Sequence, residues 1–195
     1  MKKEIYYTTS NPGKFEEVKG FIEKNEPNIE IKRFEADIPE IQTLDQKMIA
    51  VDKAIKAWEL LQKPLLVDDS AIYFEKYNKF PGTLSKYVSL GIGIEGIKNL
   101  FEVGDKATFL VYLSYIEGPN SLKVFEGRCE GHLVKQKNFT ANPNLPYDAI
   151  FVPEGIEKTY AQIRNTAEGE KYLYRTRAVK NFLEWYSKQK EKPLK

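Results

Sequence analysis

Apolar and polar positions alternate between two periods along the chain. Glu4 to Thr9 are mostly β-branched and aromatic and read as a strand, after which Phe15, Val18, Phe21 and Ile22 recur at helical spacing. Ser10-Asn11-Pro12-Gly13 joins the two. A second strand, Ile29 to Phe34, precedes a polar loop through Pro39. Met48, Val51, Ile55, Trp58 and Leu61 then step by three and four, which predicts one long amphipathic helix from about Asp45. Pro64 stops that helix, and Leu65-Leu66-Val67 reads as a short strand delivering Asp68-Asp69-Ser70 at its C-terminal end.

Beyond this βα start, Phe80-Pro81-Gly82 predicts a turn into a helix ending near Gly91, with another over Ile94 to Phe101. Thr108 to Ile116, Leu122 to Cys129 and Gly131 to Val134 read as antiparallel strands, the first two joined at Gly118-Pro119-Asn120. A loop from Asn138 to Pro146 leads into Ala149-Ile150-Phe151. Val179, Phe182, Leu183 and Tyr186 share one face of a closing helix. The expected class is α/β.

Composition narrows the functions. The chain has 195 residues, 42% apolar and 13% aromatic, enough for one well-filled core pinched into two lobes. Its 30 basic and 28 acidic residues leave +2, so no overall field points to nucleic acid. One cysteine, Cys129, excludes an internal disulfide framework, and the one histidine, His132, sits in an apparent strand and suggests no histidine chemistry. No run approaches about 18 apolar residues and the start lacks a secretory pattern, so a cytoplasmic protein without membrane contact is expected. The lysine-rich end from Ser187 to Lys195 reads as a frayed, solvated tail.

Candidate chemistry lies in a few segments. In Thr8-Thr9-Ser10-Asn11-Pro12-Gly13-Lys14, helix N-terminal amides and the Lys14 ammonium can hold a phosphate; the same residues are also good helix-start chemistry. Asp68 and Asp69 point to opposite sides of an extended chain and are hard to bury without a cation such as Mg²⁺; the alternative is an exposed acidic turn or a helix cap. Glu40, beside Pro39, can aim a carboxylate at a shared metal. Lys53 can reach a triphosphate from the long helix, or be an ordinary helix lysine.

Thr9-Ser10-Asn11-Pro12-Gly13-Lys14, Pro39-Glu40, Lys53-Ala54, Asp68-Asp69-Ser70, Phe80-Pro81-Gly82 with Lys86, Tyr147-Asp148-Ala149-Ile150-Phe151, Pro153-Glu154-Gly155 and Lys158-Thr159-Tyr160-Ala161 follow one another with the spacing of a known motif series. In this the chain resembles the inosine/xanthosine triphosphate pyrophosphatases, over nearly its whole length. The resemblance implies an elongated α/β fold, a single domain in which a mixed, bent sheet separates two lobes with a central cleft, and a homodimer. It implies Mg²⁺-dependent cleavage of nucleoside triphosphates, by default ITP, XTP and dITP, to monophosphate and pyrophosphate.

Carried over residue by residue, Thr9 to Lys14, Ser70 and Lys86 contact substrate, Lys53 and Asp69 act in catalysis, and Glu40, Asp69 and Asp68 form the metal set. Leu145-Pro146-Tyr147-Asp148 occupies the place where relatives carry Phe-Gly-Tyr/Trp-Asp around the base. Lys171, Tyr174 and Arg175 occupy that of a lysine followed by Ser-His-Arg, with Gly169 the other candidate for the lysine position. Tyr174 cannot carry the positive charge of a histidine. The phosphate half of the pattern is thus nearly complete and the base half altered. A shifted base preference, a catalytically reduced nucleotide binder, or a nucleic-acid module built on Tyr112 and Tyr115 are the competing readings.

Overall fold

The computed structural model describes residues 2–135, 142, 144–164 and 166–190, apart from the Lys190 side chain. The expected loop from Asn138 to Pro146 lies mostly outside these residues, as does the tail beyond 190. The elements run β1 (Lys3–Thr8), α1 (Pro12–Asn25), β2 (Ile29–Phe34), α2 (Gln46–Leu61), β3 (Leu65–Phe74), β4 (Pro81–Gly82), α3 (Ser85–Lys98), β5 (Lys106–Ile116), β6 (Lys123–Leu133), β7 (Phe151–Pro153), α4 (Tyr160–Ile163) and α5 (Tyr174–Lys190). The strands form one seven-stranded mixed sheet in the order β2-β1-β3-β5-β6-β7, with β4 paired to β3. β1 lies parallel to both β2 and β3, while β4 is antiparallel to β3 and β7 to β6.

The residues group into two compact units. The first comprises 1–69, 111–127 and 175–195, and the second 70–110 and 128–174.

In the first unit, α1 starts where its chemistry says it should: Asn11 is the N-cap, its side chain accepting from the Lys14 amide, and Pro12 follows as the first helical residue. α2 is capped by Asp45 and ends at a left-handed Gln62, just before Pro64. Its buried stripe differs from the expected one. Gln46, Ile49, Ala50, Ala54 and Ala57 face inward, whereas Met48 is 52% and Ile55 42% exposed. The alanines let the helix backbone approach the sheet closely, so Ala54 and Ala57 pack on Leu65, Val67 and Ile116, with Trp58 and Leu61 at the margin. The last helix conforms: Val179, Phe182, Leu183 and Tyr186 are all buried, and Phe182 packs against Tyr115 and Phe125.

The main correction concerns β3. It does not stop at Val67 but continues to Phe74, so Asp68 and Asp69 lie inside a ten-residue strand. Acidic residues and serine are poor strand formers and mimic an end. Ala71 to Phe74 supply the apolar continuation, and β4 pairs with Ile72 and Tyr73. The partner β1 does end there: its recorded pairing with β3 closes at Thr8 with Val67. A second difference is β6, which runs unbroken through Glu130 and places His132 opposite Val152 of β7. In the second unit α3 is interrupted at Gly93, whose φ of 63° is not helical, which accounts for the two helices expected from sequence.

Candidate active site

The phosphate-binding candidate is the turn between β1 and α1. Asn11 Oδ1 accepts from the Lys14 amide at 3.1 Å, and the Asn11 amide donates to Thr9 Oγ1 at 3.2 Å. From β2, Arg33 donates through Nε to the Thr9 carbonyl at 3.1 Å and through Nη2 to the Ser10 carbonyl at 2.7 Å. With those carbonyls held on one side, the turn is fixed, and the first amides of α1 carry the positive end of the helix. No acidic residue sits in that first turn to oppose an anion.

Asp68, 3% exposed, anchors a buried polar network. Tyr7 donates its hydroxyl to Asp68 Oδ1 at 2.7 Å, Lys14 Nζ lies 3.2 Å from Oδ2, and Arg175 Nε donates to Oδ2 at 3.1 Å. Arg175 also donates through Nη1 to Glu17 Oε2 at 2.8 Å. Burial alone would push the Asp68 carboxyl up, but Lys14, Arg175 and the Tyr7 hydroxyl outweigh it and hold the group ionised far below the usual carboxylate range. Burial likewise raises the Tyr7 hydroxyl, helped by the Asp68 charge, so it stays a donor.

On the other side of the strand, Lys53 of α2 sits among carboxylates. Its Nζ is 2.7 Å from Glu40 Oε1, 3.9 Å from Asp69 Oδ1 and 3.4 Å from the Asp68 carbonyl. Burial lowers the Lys53 pKa, yet Glu40 and Asp69 more than reverse this and keep it charged. The Asp69 carboxyl is raised instead, because its burial exceeds the pull of Lys53 and Lys14 and because Asp68 and Glu40 repel its charge. Gln46, at the start of α2, donates to the Asp69 carbonyl at 2.9 Å and fixes the strand at that point.

The fold thus brings together the turn with Lys14, Glu40, Lys53, Asp68, Asp69 and Arg175, all in the first unit. Tyr7, Glu17, Arg33 and Gln46 belong to the same constellation and lie in no motif. Glu17 stands at helical spacing from Lys14, whereas Tyr7, Arg33 and Gln46 are placed by contacts distant in sequence.

The remaining candidates belong to the second unit. Ser70 is half-buried on β3 and Lys86 exposed on α3. Leu145 and Pro146 are half-buried, Pro146 opening a single 3-10 turn to Ala149. Tyr147 is buried, donating its hydroxyl to the Ser85 carbonyl at 2.8 Å and packing edge-on to Phe74. Asp148 is buried and ion-paired with Arg164. Tyr174, 3% exposed, stacks on Phe109 at 4.7 Å between ring centres and 3° between planes, in a cluster with Tyr160 and Phe151. Lys171 is exposed, its ammonium 5.0 Å from the Tyr172 ring centre.

Gly169 has no room for a side chain: a Cβ there would meet the Ile163 carbonyl oxygen at 1.9 Å. Gly169→Ala is therefore expected to destabilise the protein by about 1–3 kcal/mol, as overpacking does, in urea denaturation. Wild-type stability would show that the position can open to a longer residue.

The Ham1 family model matches residues 5–185. The chain is 34% identical over 184 residues to a dITP/XTP pyrophosphatase of Methanopyrus kandleri, covering 93% of this chain and 95% of that protein. It is 36% identical over 186 residues to a dITP/XTP pyrophosphatase of Pyrococcus horikoshii, again covering 93% and 95%. Among solved structures, a HAM1 protein from Coxiella burnetii has the same fold, with a TM-score of 0.74 at 20% identity over 95% of this chain and 99% of that one. A chain matched over nearly its whole length by one family model, by relatives of similar extent and by a solved fold belongs to the Ham1 family.

Proposed function

We propose that this protein hydrolyses nucleoside triphosphates between the α and β phosphates, releasing nucleoside monophosphate and pyrophosphate, with deaminated purine nucleotides such as dITP, XTP and ITP as substrates. The observation that supports it most is the gathering of a helix N-terminus, Lys14, Lys53, Glu40 and Asp69 within one unit. Phosphoanhydride cleavage asks for that: neutralisation of a crowded polyanion and placement of an attacking water, with no covalent catalyst. The names of the Methanopyrus and Pyrococcus relatives give the substrate class.

The site suits Mg²⁺. Glu40 and Asp69 both face the Lys53 ammonium, and the half-buried Asp69 carboxylate is repelled by Asp68 and Glu40, a crowding of negative charge that a hard cation relieves. Magnesium takes one or two protein carboxylates and completes its shell with waters and phosphate oxygens. In this reading Glu40 and Asp69 hold it, and Asp68 contributes charge from the neighbouring position. When bound, Mg²⁺ would supply neutralisation of the phosphate oxygens as charge develops on the leaving pyrophosphate.

The chain's own residues do the rest. The amides of α1 and Lys14 bind the phosphates, held in place by Arg33 and Asn11. Lys53 lies 2.7 Å from Glu40 and 3.9 Å from Asp69, and so sets their spacing before substrate arrives. The Asp69 carboxylate orients the attacking water and accepts its proton, its backbone pinned by Gln46. The protein is further read as a cytoplasmic homodimer, for which the expected solution mass is that of two chains.

The test is product identity with ITP as substrate. IMP and pyrophosphate are expected in Mg²⁺ and no turnover in EDTA. IDP and phosphate would contradict the proposed bond, and undiminished turnover in EDTA would contradict the metal.

A further inference from the structure

Arg175 is placed oddly for a base contact. Its side chain is 0% exposed, and it is ion-paired with two acids, Asp68 at 3.1 Å and Glu17 at 2.8 Å. It is the second residue of α5, and a cation in the first turn of a helix opposes the helix dipole. That position carries a cost, which the two carboxylates offset. The neighbours Tyr174 and Thr176 are buried as well, which locks the start of the helix around the guanidinium.

The charges balance in an informative way. Asp68 and Glu17 carry two negative charges, Lys14 and Arg175 two positive ones, and the Tyr7 hydroxyl adds a neutral donor to Asp68. Lys14 differs from Arg175 in one respect: its side chain keeps 21% exposure, so it can be reached by a ligand. When Lys14 turns to a phosphate, Asp68 must not be left buried without a cation, since an uncompensated buried charge is strongly destabilising. Arg175 and Tyr7 remain in place to prevent it.

We propose that Arg175 is the standing counter-charge of Asp68, a positioning residue that lets Lys14 leave Asp68 for the substrate's phosphates, and not a contact to the base. Without Arg175, Asp68 depends chiefly on Lys14 for its counter-charge, and Lys14 is withheld from the ligand. The loss is then the same for every nucleobase and appears with a ligand that has no base at all. This rests on the reading of Lys14 as a phosphate ligand.

The test uses inorganic pyrophosphate with Mg²⁺, its Kd measured by calorimetry on wild type, Arg175→Gln, Arg175→Lys and Tyr7→Phe, with kcat/KM for ITP and GTP on the same preparations. Arg175→Gln is expected to weaken pyrophosphate binding by about 10- to 100-fold, the size of one lost charged hydrogen bond, and to lower kcat/KM for both nucleotides by a common factor. Arg175→Lys should recover about tenfold of this, and Tyr7→Phe, which keeps the ring and removes one donor to Asp68, should weaken binding severalfold. An unchanged pyrophosphate Kd in folded Arg175→Gln, with the ITP to GTP ratio altered tenfold or more, would make Arg175 a base contact and overturn the proposal. If Arg175→Gln does not fold, unchanged binding in both Arg175→Lys and Tyr7→Phe overturns it equally. A wild-type protein that binds no pyrophosphate would instead overturn the phosphate-site reading itself.

Discussion

Asp69→Asn is expected to lower kcat by about 10²–10⁴-fold, the range for loss of a positioned general base, with the fold retained. Asp69 sits inside β3, where its carbonyl is held by Gln46 at 2.9 Å and its carboxylate faces Lys53, itself held by Glu40. Asparagine preserves shape and removes the charge and the proton acceptor together. The melting midpoint should shift by only a few degrees, because the lost partner is an ammonium that keeps Glu40. Pyrophosphate release by purified variant and wild type under saturating ITP and Mg²⁺ gives the ratio. Turnover within a few-fold of wild type would remove Asp69 from the chemistry.

The second large effect is on stability. Asp68→Ala removes the carboxylate on which Lys14, Arg175 and Tyr7 converge, leaving the buried Arg175 guanidinium with the Glu17 pair but without its Asp68 partner. Breaking a buried pair by deleting one partner costs about 3–5 kcal/mol, because the other charge is stranded. The urea midpoint of Asp68→Ala should fall accordingly, and Asp68→Asn, which keeps an acceptor oxygen for Arg175 and Tyr7, should lose less. A change under about 1 kcal/mol in the alanine variant would mean that the network is hydrated and contributes little.

The contrast between these adjacent acids shows what a sequence can and cannot disclose. That two neighbouring carboxylates diverge follows from the twofold period of an extended chain, and β3 honours it: one side meets Tyr7 and Arg175, the other meets Lys53. That the strand would run on to Phe74 was not legible, because the polar triplet Asp68-Asp69-Ser70 imitates a terminus and the pairing that overrides it is non-local. On α2 the apolar period gave the helix and its start near Asp45 correctly but pointed to the wrong stripe. Small residues allow close packing that hydrophobicity alone does not reveal, so the alanines face the sheet while Met48 and Ile55 stay exposed.

The start of α1 was legible, since an Asn cap followed by Pro acts locally. Arg33 was not: its hold on the Thr9 and Ser10 carbonyls depends on β2 lying beside β1. Arg175 was visible as a motif arginine, but its burial against Asp68 and Glu17 spans 107 and 158 residues of sequence, beyond any spacing rule. Tyr174 reads as an altered base contact in sequence and is a core aromatic stacked on Phe109 in the fold. Gly169, likewise, reads as a missing lysine and is required by its approach to the Ile163 carbonyl.

Hydrolysis of deaminated purine nucleoside triphosphates at a Mg²⁺-assisted site is the proposed activity. The most direct test is pyrophosphate release by the full chain in Mg²⁺ from ITP, XTP and dITP beside ATP, GTP, CTP and dUTP. Release from the first three is expected, with kcat/KM at least about tenfold above the others, the discrimination that one well-placed polar contact supplies. Silence across the whole panel, or equal rates for all seven nucleotides, would contradict it.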